Sequence, residues 1–224
     1  MTRIIKTMRL PAIVFAWVAL LAATTPLYAQ SRYQVPATLD GTASGRLMQA
    51  SNGNFYGVTY IGGDGFGTIF RLTPDGVLTT IAHFSPEMGA PAVGSGLLQA
   101  SDGDLYGTTE GGATFGGTIF RYSLSDGTLS TWAAFDLATH GSTPSGRLIE
   151  GKDGYLYGTA LFGAEDETGV SAPGLVFRVN RAKATTDAAG TIETVVEFPL
   201  DASAGEAPSA GLVQAADGSF YGTA

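Results

Sequence analysis

The stretch DGDLYGTTEGGATFGGTIFRY, residues 102–122, occurs in nearly the same form fifty residues earlier as NGNFYGVTYIGGDGFGTIFRL, residues 52–72. Its Tyr-Gly step occurs four times, at intervals of 50, 51 and 64 residues, and a turn glycine three residues ahead keeps the same intervals. The tyrosines of these steps are Tyr56, Tyr106, Tyr157 and Tyr221. A sequence period of this length is typical of solenoids and propellers, in which each repeat is one structural unit.

Each repeat is predicted to contain four short β-strands. In the first repeat they are SGRLMQAS, FYGVTY, GTIFRL and VLTTIAHF, which contain many residues that favour strands. Asn52-Gly53 and its equivalents predict two-residue hairpins with positive φ at both central positions. Pro74-Asp75-Gly76 predicts the turn between strands three and four. Glycine-rich loops at 62–67 and 111–117 join the two hairpins, and no amphipathic helix is predicted after residue 29.

The third and fourth strands carry large apolar residues on both faces. Ile69 and Phe70 are adjacent, and so are Val195 and Val196, so the members of each pair point to opposite sides of a strand. A sheet with two apolar faces must be covered twice, as the blades of a propeller are. We therefore predict an all-β fold, a β-propeller of four-stranded antiparallel blades of about 50 residues each. A β-solenoid is the alternative, although its coils are usually shorter and lack two hairpins per repeat.

The predicted blades span residues 44–93, 94–144, 145–208 and 209–224. The third is longer because its loops carry insertions, and the fourth is truncated inside its second strand. The propeller is therefore expected to be incomplete, with three full blades and part of a fourth, and we interpret the chain as a fragment of a longer protein or a truncated gene model. Residues 30–43 are predicted to be an N-terminal segment that could supply a ring-closing strand.

Residues 1–29 have the pattern of a secretory signal peptide. Arg3, Lys6 and Arg9 precede an apolar run at 13–23, and Ala29 is a suitable last residue before cleavage. As a helix the run would cover about 16 Å, too short for a hydrocarbon core of about 30 Å. We predict a secreted or cell-surface protein with no membrane insertion apart from the signal peptide.

Charge and cysteine content narrow the possible partners. The formal net charge is −8, and removal of the three basic residues of the signal leaves nine basic against 20 acidic residues. Such a surface repels phosphate backbones, so nucleic acid is not an expected partner. The chain has no cysteine, so its stability must come from core burial and sheet hydrogen bonds.

No catalytic, metal or cofactor site is predicted. His83 and His140 are the two histidines and occupy non-equivalent positions, and no G-x-S-x-G elbow occurs. A zinc site needs three or four nitrogen or sulfur ligands, which two histidines and no cysteine do not supply. Asp102 and Asp104 could suggest calcium, but the pair is not retained between repeats whereas Gly103 is, so a turn is the favoured interpretation. The glycine-rich loops lack the lysine and helix of a phosphate-binding loop.

Arg71, Arg121 and Arg178 are the possible binding residues, because each follows the third-strand phenylalanine of its repeat. A ring of arginines could face a central channel and bind an anion. The alternative is a repeated ion pair or stacking on the Tyr-Gly tyrosine of the same blade. The Tyr-Gly tyrosines are likewise predicted to pack between blades, with a sugar-binding platform as the alternative.

The units GG-DGFGTIFRLTPDGVLTTIAHF and GGATFGGTIFRYSLSDGTLSTWAAF resemble a bacterial tandem repeat first described in Gloeobacter and Verrucomicrobia, the GloVer repeat. That family is marked by glycine-rich GT-x-F segments, a PDG-type turn and a strand that ends in phenylalanine. The Gly-Gly pairs at 62–63 and 111–112 follow the second strand, which resembles the pattern of kelch repeats. The resemblance covers about residues 44–224, and the third unit departs from it, with Gly-Leu-Val-Phe at 174–177. It implies a propeller and export, with no established activity.

Two functions are compatible with these observations. The first is an exported non-enzymatic repeat protein, a surface scaffold or interaction module that presents loops to surface proteins or glycans. The second is a glycan-active or lyase-type propeller enzyme whose site lies in blades outside this sequence.

Overall fold

The computed structural model describes residues 38–166, 168–181, 191–199 and 206–224. The predicted signal peptide lies outside these residues. In the described part the strands form four antiparallel sheets that follow one another along the chain. No helix in that part is both long and apolar enough to cross a membrane.

The first three sheets are complete blades with four strand positions each. The first sheet contains β1 (Thr42–Gln49), β2 (Phe55–Ile61), β3 (Thr68–Leu72) and β4 (Leu78–His83), hydrogen-bonded in that order. The second contains β5 (Ala90–Pro91), β6 (Leu98–Gln99), β7 (Leu105–Glu110), β8 (Thr118–Tyr122) and β9 (Leu129–Ala134). Both β5 and β6 pair with β7, so together they occupy the position that β1 holds in the first sheet.

The third sheet repeats this plan and the fourth has two short strands in the described residues. The third contains β10 (Ser142–Pro144), β11 (Ile149–Glu150), β12 (Tyr155–Phe162), β13 (Leu175–Asn180) and β14 (Ile192–Glu197). The fourth contains β15 (Val213–Gln214) and β16 (Phe220–Tyr221). The predicted all-β propeller with four-stranded antiparallel blades is confirmed, as an open rather than closed ring.

Two local features differ from the expectations. The first three sheets begin at Thr42, Ala90 and Ser142, a few residues ahead of the blade starts placed at 44, 94 and 145. The last two residues of the predicted ring-closing segment thus pair with β2 in the first sheet. One helical turn, Leu137–His140, follows β9 although no helix was expected, because the Asp136 side chain caps two of its N–H groups.

The hairpin turns between strands one and two are three-residue loops, so the prediction of two-residue turns is wrong. Gly53 N donates to Ala50 O at 2.9 Å, and Ala50 N donates to Asn54 O at 2.9 Å. Only Gly53 has positive φ, at 81°. The Asn52 carbonyl oxygen Oδ1 accepts from Asn54 N and holds Asn52 in an Asx turn. A type I turn closed by a left-handed glycine results, and it recurs at Gly103, Gly154 and Gly218.

The core lies between sheets, and the second sheet is covered on both faces. Ile119 belongs to an apolar cluster shared with the third sheet, whereas its neighbour Phe120 belongs to one shared with the first. In the first sheet Ile69 is 0% and Phe70 5% exposed. The prediction of two-sided apolar strands is therefore confirmed for the first two blades.

Edge-to-face phenylalanine pairs join successive blades. The ring that follows the fourth strand of one sheet meets the third-strand ring of the next. Phe84 and Phe120 have centroids 4.9 Å apart with planes at 75°, and Phe135 and Phe177 have centroids 4.9 Å apart with planes at 83°. Such geometry stabilises an aromatic pair beyond the area it buries.

The prediction that Val195 and Val196 are both covered is wrong. They are 45% and 53% exposed, because among the described residues the far face of the third sheet is met by only the two short strands of the fourth. The two valines also do not point to opposite sides, since a register shift leaves Val195 as an extra residue between Thr194 and Val196. Both valines therefore line one open apolar groove of about 470 Å³ between those sheets.

A side chain from each following blade also fastens the turn of the blade before it. Ser51 N donates to Gln99 Oε1 at 2.8 Å, and Ser101 N donates to Glu150 Oε2 at 2.7 Å. Lys152 N donates in the same way to Gln214 Oε1 at 3.1 Å. Each of these hydrogen bonds joins the hairpin turn of one blade to the first strand of the next blade.

Candidate functional site

Three of the four repeated tyrosines are buried packing residues. Tyr56, Tyr106 and Tyr157 are 3%, 0% and 5% exposed, and Tyr221 is 57% exposed. The phenol of Tyr106 donates to Asp102 Oδ2 at 2.8 Å. The phenol of Tyr157 contacts its own turn residue in the same way. The turn residue and the tyrosine thus stabilise one hairpin together.

The Asp102 carboxylate has a structural role, because it accepts hydrogen bonds from several donors. Its Oδ1 accepts from Asp104 N at 3.1 Å, and its Oδ2 lies 2.9 Å from Arg181 Nη1 in the third repeat. Burial raises the pKa of Asp102, but hydrogen bonds from Tyr106, Arg181 and the Asp104 backbone outweigh it, so its pKa is lowered. Burial and the neighbouring carboxylate raise the pKa of the Tyr106 phenol.

We expect the Asp102 carboxylate to make stability depend on acid pH. Its pKa is lower in the folded than in the unfolded chain, where it is about 3.9, so its stabilisation is present above about pH 4 and is lost as pH falls through the folded pKa. Urea unfolding at a series of pH values should show wild-type stability falling more steeply below pH 4 than that of Asp102→Asn. Asp217→Asn, the same substitution in the equivalent turn of the fourth repeat, is the matched control. Equal pH slopes for wild type and Asp102→Asn would contradict this assignment.

Two of the predicted binding arginines have acidic partners in their own blade. Arg121 Nε donates to Asp104 Oδ2 at 2.7 Å, and the guanidinium lies 5.7 Å from the Trp132 ring centroid. Arg178 Nε donates to Glu193 Oε2 at 2.9 Å. Its guanidinium lies 4.5 Å from the ring centroid of a nearby tyrosine. The ion pairs correspond to the alternative interpretation, but the rings that these two guanidinium groups face are not the Tyr-Gly tyrosines. Ligand binding by these residues stays a prediction.

Arg71 differs from the other two. It lies opposite Tyr56 on β3, and its buried Nε has no hydrogen-bond partner in the described residues. It forms no ion pair with an acid in that part of the chain, because the position equivalent to Asp104 is Asn54.

The structure keeps the histidines and the candidate calcium pair apart from any shared site. His83 ends β4, and His140 ends the helical turn after β9. Asp104 is used by Arg121 and by the backbone N–H of Leu124, while Asp102 is used as described above. Among the described residues no three His, Cys, Asp or Glu side chains are placed to hold a metal ion.

The glycine-rich loops of the first two blades form an open groove of about 550 Å³. Aromatic and aliphatic side chains dominate its lining, and one carboxylate contributes. The main side chains are Tyr60, Ile61, Phe66, Pro86, Glu110 and Phe115. We call this site the loop groove. Its rim is unusually apolar for a surface, since Ile61 is 54% and Phe115 80% exposed.

Phe115 is held outward by a strained but well-tied loop. Its φ is 59°, a left-handed conformation that bulky side chains rarely adopt. Phe115 N donates to Gly112 O at 3.1 Å, and Gly117 N donates to Gly111 O at 2.8 Å. Ala113 N also reaches the preceding blade, at Glu87 O. The ring is therefore exposed on a fixed backbone, not on a free tip.

Phe115 stands one position earlier in its loop than its counterpart Phe66. From the Tyr-Gly tyrosine to the third-strand threonine both loops span 12 positions, but two glycines follow Phe115 where one follows Phe66, which packs partly buried against the core between the first two sheets. A Cβ on Gly116 would lie 2.7 Å from Phe135 O, so only glycine fits there. This site was not predicted from the sequence, and the second glycine after Phe115 is the signal that could have indicated it.

A family model described as the Gloeobacter/Verrucomicrobia repeat matches residues 23–224. The chain belongs to this repeat family. The Gloeobacter/Verrucomicrobia repeat therefore covers all the described sheets, and the resemblance read from the sequence is confirmed. The kelch-like character of the Gly-Gly pairs stays a resemblance.

Two of the solved structures similar to this Gloeobacter/Verrucomicrobia repeat chain are lyases by name. Selenomethionine-substituted virginiamycin B lyase from Staphylococcus aureus matches with a TM-score of 0.51 and 21% identity, over 79% of this chain and 47% of that one. A streptogramin B lyase structure matches with a TM-score of 0.50 and 24% identity, over 79% and 46%. The chain thus spans about half the length of these proteins, and the likeness shows the fold. No curated protein matches the chain.

The geometry explains the two most regular features of the Gloeobacter/Verrucomicrobia repeat in this chain. The Tyr-Gly glycine of strand two faces the third-strand phenylalanine across the sheet, as in the pairs Gly107–Phe120 and Gly158–Phe177. A Cβ on either glycine would lie 2.5 or 2.4 Å from the ring carbon Cζ. The third repeat keeps this pairing although Leu175 replaces the threonine of the GT-x-F segment.

Proposed function

We propose that this protein is an exported, non-enzymatic interaction module that contacts a surface protein or glycan through the loop groove. The observation that carries the proposal is Phe115, 80% exposed at a φ of 59°. An exposed aromatic ring on a strained backbone costs stability, and the surrounding hydrogen bonds keep it there. Export is supported by the signal-like residues 1–29, which lie outside the described structure.

The chemistry of the loop groove suits a ligand with both apolar and polar groups. Phe115, Tyr60 and Phe66 provide ring faces that can cover a sugar ring or an apolar side chain. Glu110 adds a carboxylate whose Oε1 accepts from Val93 N at 3.3 Å, which leaves lone pairs for a ligand hydroxyl or amide. The groove volume lies in the range of small-ligand sites.

Phe115→Ala is expected to weaken ligand binding about tenfold or more without lowering the stability of the fold. A buried aromatic contact at an interface centre contributes about 2 kcal/mol or more, whereas an exposed side chain contributes within about 0.5 kcal/mol to folding. The secreted protein is applied to a glycan array and a displayed-peptide library, and the best ligand is titrated against wild type and variant. Val77→Ala, an exposed turn residue 53% accessible, is the control.

Two results would contradict the proposal. The first is a wild-type protein that binds nothing on the glycan array and nothing in the peptide library. A ligand bound equally by wild type and Phe115→Ala would place the contact elsewhere on the molecule.

The second candidate is a lyase-type propeller enzyme, favoured by the names of the two similar structures. We place its site in blades outside the described residues; in the described part no three His, Cys, Asp or Glu side chains are arranged to hold a metal ion. Loss of virginiamycin B during incubation with the protein, followed by chromatography, would favour this candidate over the interaction module.

A further inference from the structure

A groove of about 810 Å³, distinct from the loop groove, lies along the first strands of the blades. Its lining includes Arg46 of the first blade and Arg147 of the third. The apolar side chains of Leu98, Ile149 and Val213 share the lining. We call it the arginine groove. The predicted arginines of the third strands are not among the residues that line it.

The two arginines alternate with glycines from blade to blade. The equivalent first-strand positions are Arg46, Gly96, Arg147 and Gly211. A Cβ on Gly211 would lie 2.9 Å from Arg147 O, so neighbouring first strands approach too closely there for a side chain. The arginine of one blade is therefore followed by a glycine in the next, and that glycine leaves space for the guanidinium group.

Both guanidinium groups keep free donors. Arg147 Nε donates to Leu97 O of the preceding blade at 3.0 Å, which fixes the side chain, and its Nη atoms have no partner in the described residues. Arg46 is exposed and its side chain forms no hydrogen bond or ion pair within the described part. An arginine presents five donors in a planar fork that matches a carboxylate or sulfate.

The charge of the arginine groove is opposite to that of the whole chain. The chain carries a formal charge of −8, yet Glu150 is the one carboxylate among the groove lining. Glu150 accepts from Ser101 and lies 3.1 Å from Arg181 Nη2, so its charge is already paired. The positive charges of Arg46 and Arg147 thus remain available to an anion.

We propose that the arginine groove binds an acidic saccharide, a sugar chain that carries carboxylate or sulfate groups. The guanidinium forks bind the anionic groups, and Leu98, Ile149 and Val213 cover the apolar face of a sugar ring. An acidic peptide that binds by adding a strand fits less well, because that mode needs a continuous strand edge. The first strands of blades two and three are interrupted pieces of two or three residues. This site is separate from the loop groove, so its failure would leave the proposed function standing.

Titration calorimetry of the whole protein tests the proposal with four probes. These are an oligogalacturonate, a sulfated oligosaccharide, a neutral cello-oligosaccharide and an oligoglutamate peptide. We expect binding of one or both acidic saccharides, no binding of the neutral one, and weaker binding as salt increases. Comparison of the first two probes identifies whether carboxylate or sulfate is preferred.

Substitutions then locate the site. Arg46→Gln and Arg147→Gln should each weaken binding about tenfold, as expected for loss of one charge-assisted contact. Arg178→Gln removes the same charge outside the arginine groove and should leave binding unchanged. Because the exposed Arg46 side chain has no hydrogen bond or ion pair to lose within the described part, Arg46→Gln remains decisive even if Arg147→Gln unfolds, which circular dichroism would detect.

Three outcomes would overturn the proposal. The neutral saccharide or the peptide could bind as tightly as the acidic saccharides. Arg178→Gln could weaken binding while Arg46→Gln does not, which would assign the anion to the third-strand arginines. Absence of binding by all four probes would leave the groove without this function.

Discussion

Phe120→Ala is expected to lower the free energy of unfolding by about 3–5 kcal/mol, the range for truncation of a buried phenylalanine. Phe120 is 1% exposed and packs edge-to-face on Phe84 of the preceding blade. Truncation leaves a cavity between two packed sheets, which close-packed neighbours fill only in part. Urea or thermal unfolding of purified protein measures the change.

Phe115→Ala is the matched control for this prediction. It makes the same substitution in the same blade at a ring that is 80% exposed, and its effect on unfolding should stay within about 0.5 kcal/mol. Similar losses of stability for Phe120→Ala and Phe115→Ala would contradict the placement of the core between the blades.

Gly107→Ala is expected to lower the free energy of unfolding by about 1–3 kcal/mol through overpacking. Gly107 has no positive φ, so alanine suits its backbone, but the added Cβ would lie 2.5 Å from Phe120 Cζ. The ring is held on its other side by Phe84 and cannot move away without loss of the contact between blades.

A double substitution separates this cause from backbone strain. In a Phe120→Leu background the side chain is shorter, so Gly107→Ala should cost clearly less than in the wild type. Gly103→Ala, at a φ of 91° with no atom within 4 Å of the new Cβ, costs stability through strain alone and should be additive with Phe120→Leu. Additive effects of Gly107→Ala and Phe120→Leu would refute the cross-strand contact.

Much of the fold could be predicted because its signals are local and repeated. Strand period, turn glycines and pairs such as Ile69 and Phe70 act within a few residues, so each repeat reports them independently. The exact hairpin was not predictable from Asn-Gly alone. Asn-Gly fits both a two-residue turn and a type I turn closed by a left-handed glycine. The structure has the second, in which Asn52 Oδ1 accepts from Asn54 N.

The candidate sites were harder to predict because they depend on single departures from the repeat. Phe115 is exposed where a second glycine, Gly116, moves the phenylalanine one position earlier in a loop of unchanged length, and Arg46 and Arg147 share a groove because first strands of different blades meet. Val195 and Val196 fit the apolar pattern, yet their exposure is decided by what lies against the third sheet. These properties belong to the arrangement of blades and not to any one of them.

Nuclear Overhauser contacts between phenylalanine rings test most directly whether the sheets stack face to face. In protein with labelled phenylalanine rings, we predict cross-peaks between Phe84 and Phe120 and between Phe135 and Phe177, whose centroids are each 4.9 Å apart. Each pair joins two different repeats, so no folding of a repeat by itself produces them. Cross-peaks from Phe120 and Phe177 only to residues of their own repeats would contradict the stacked-blade structure.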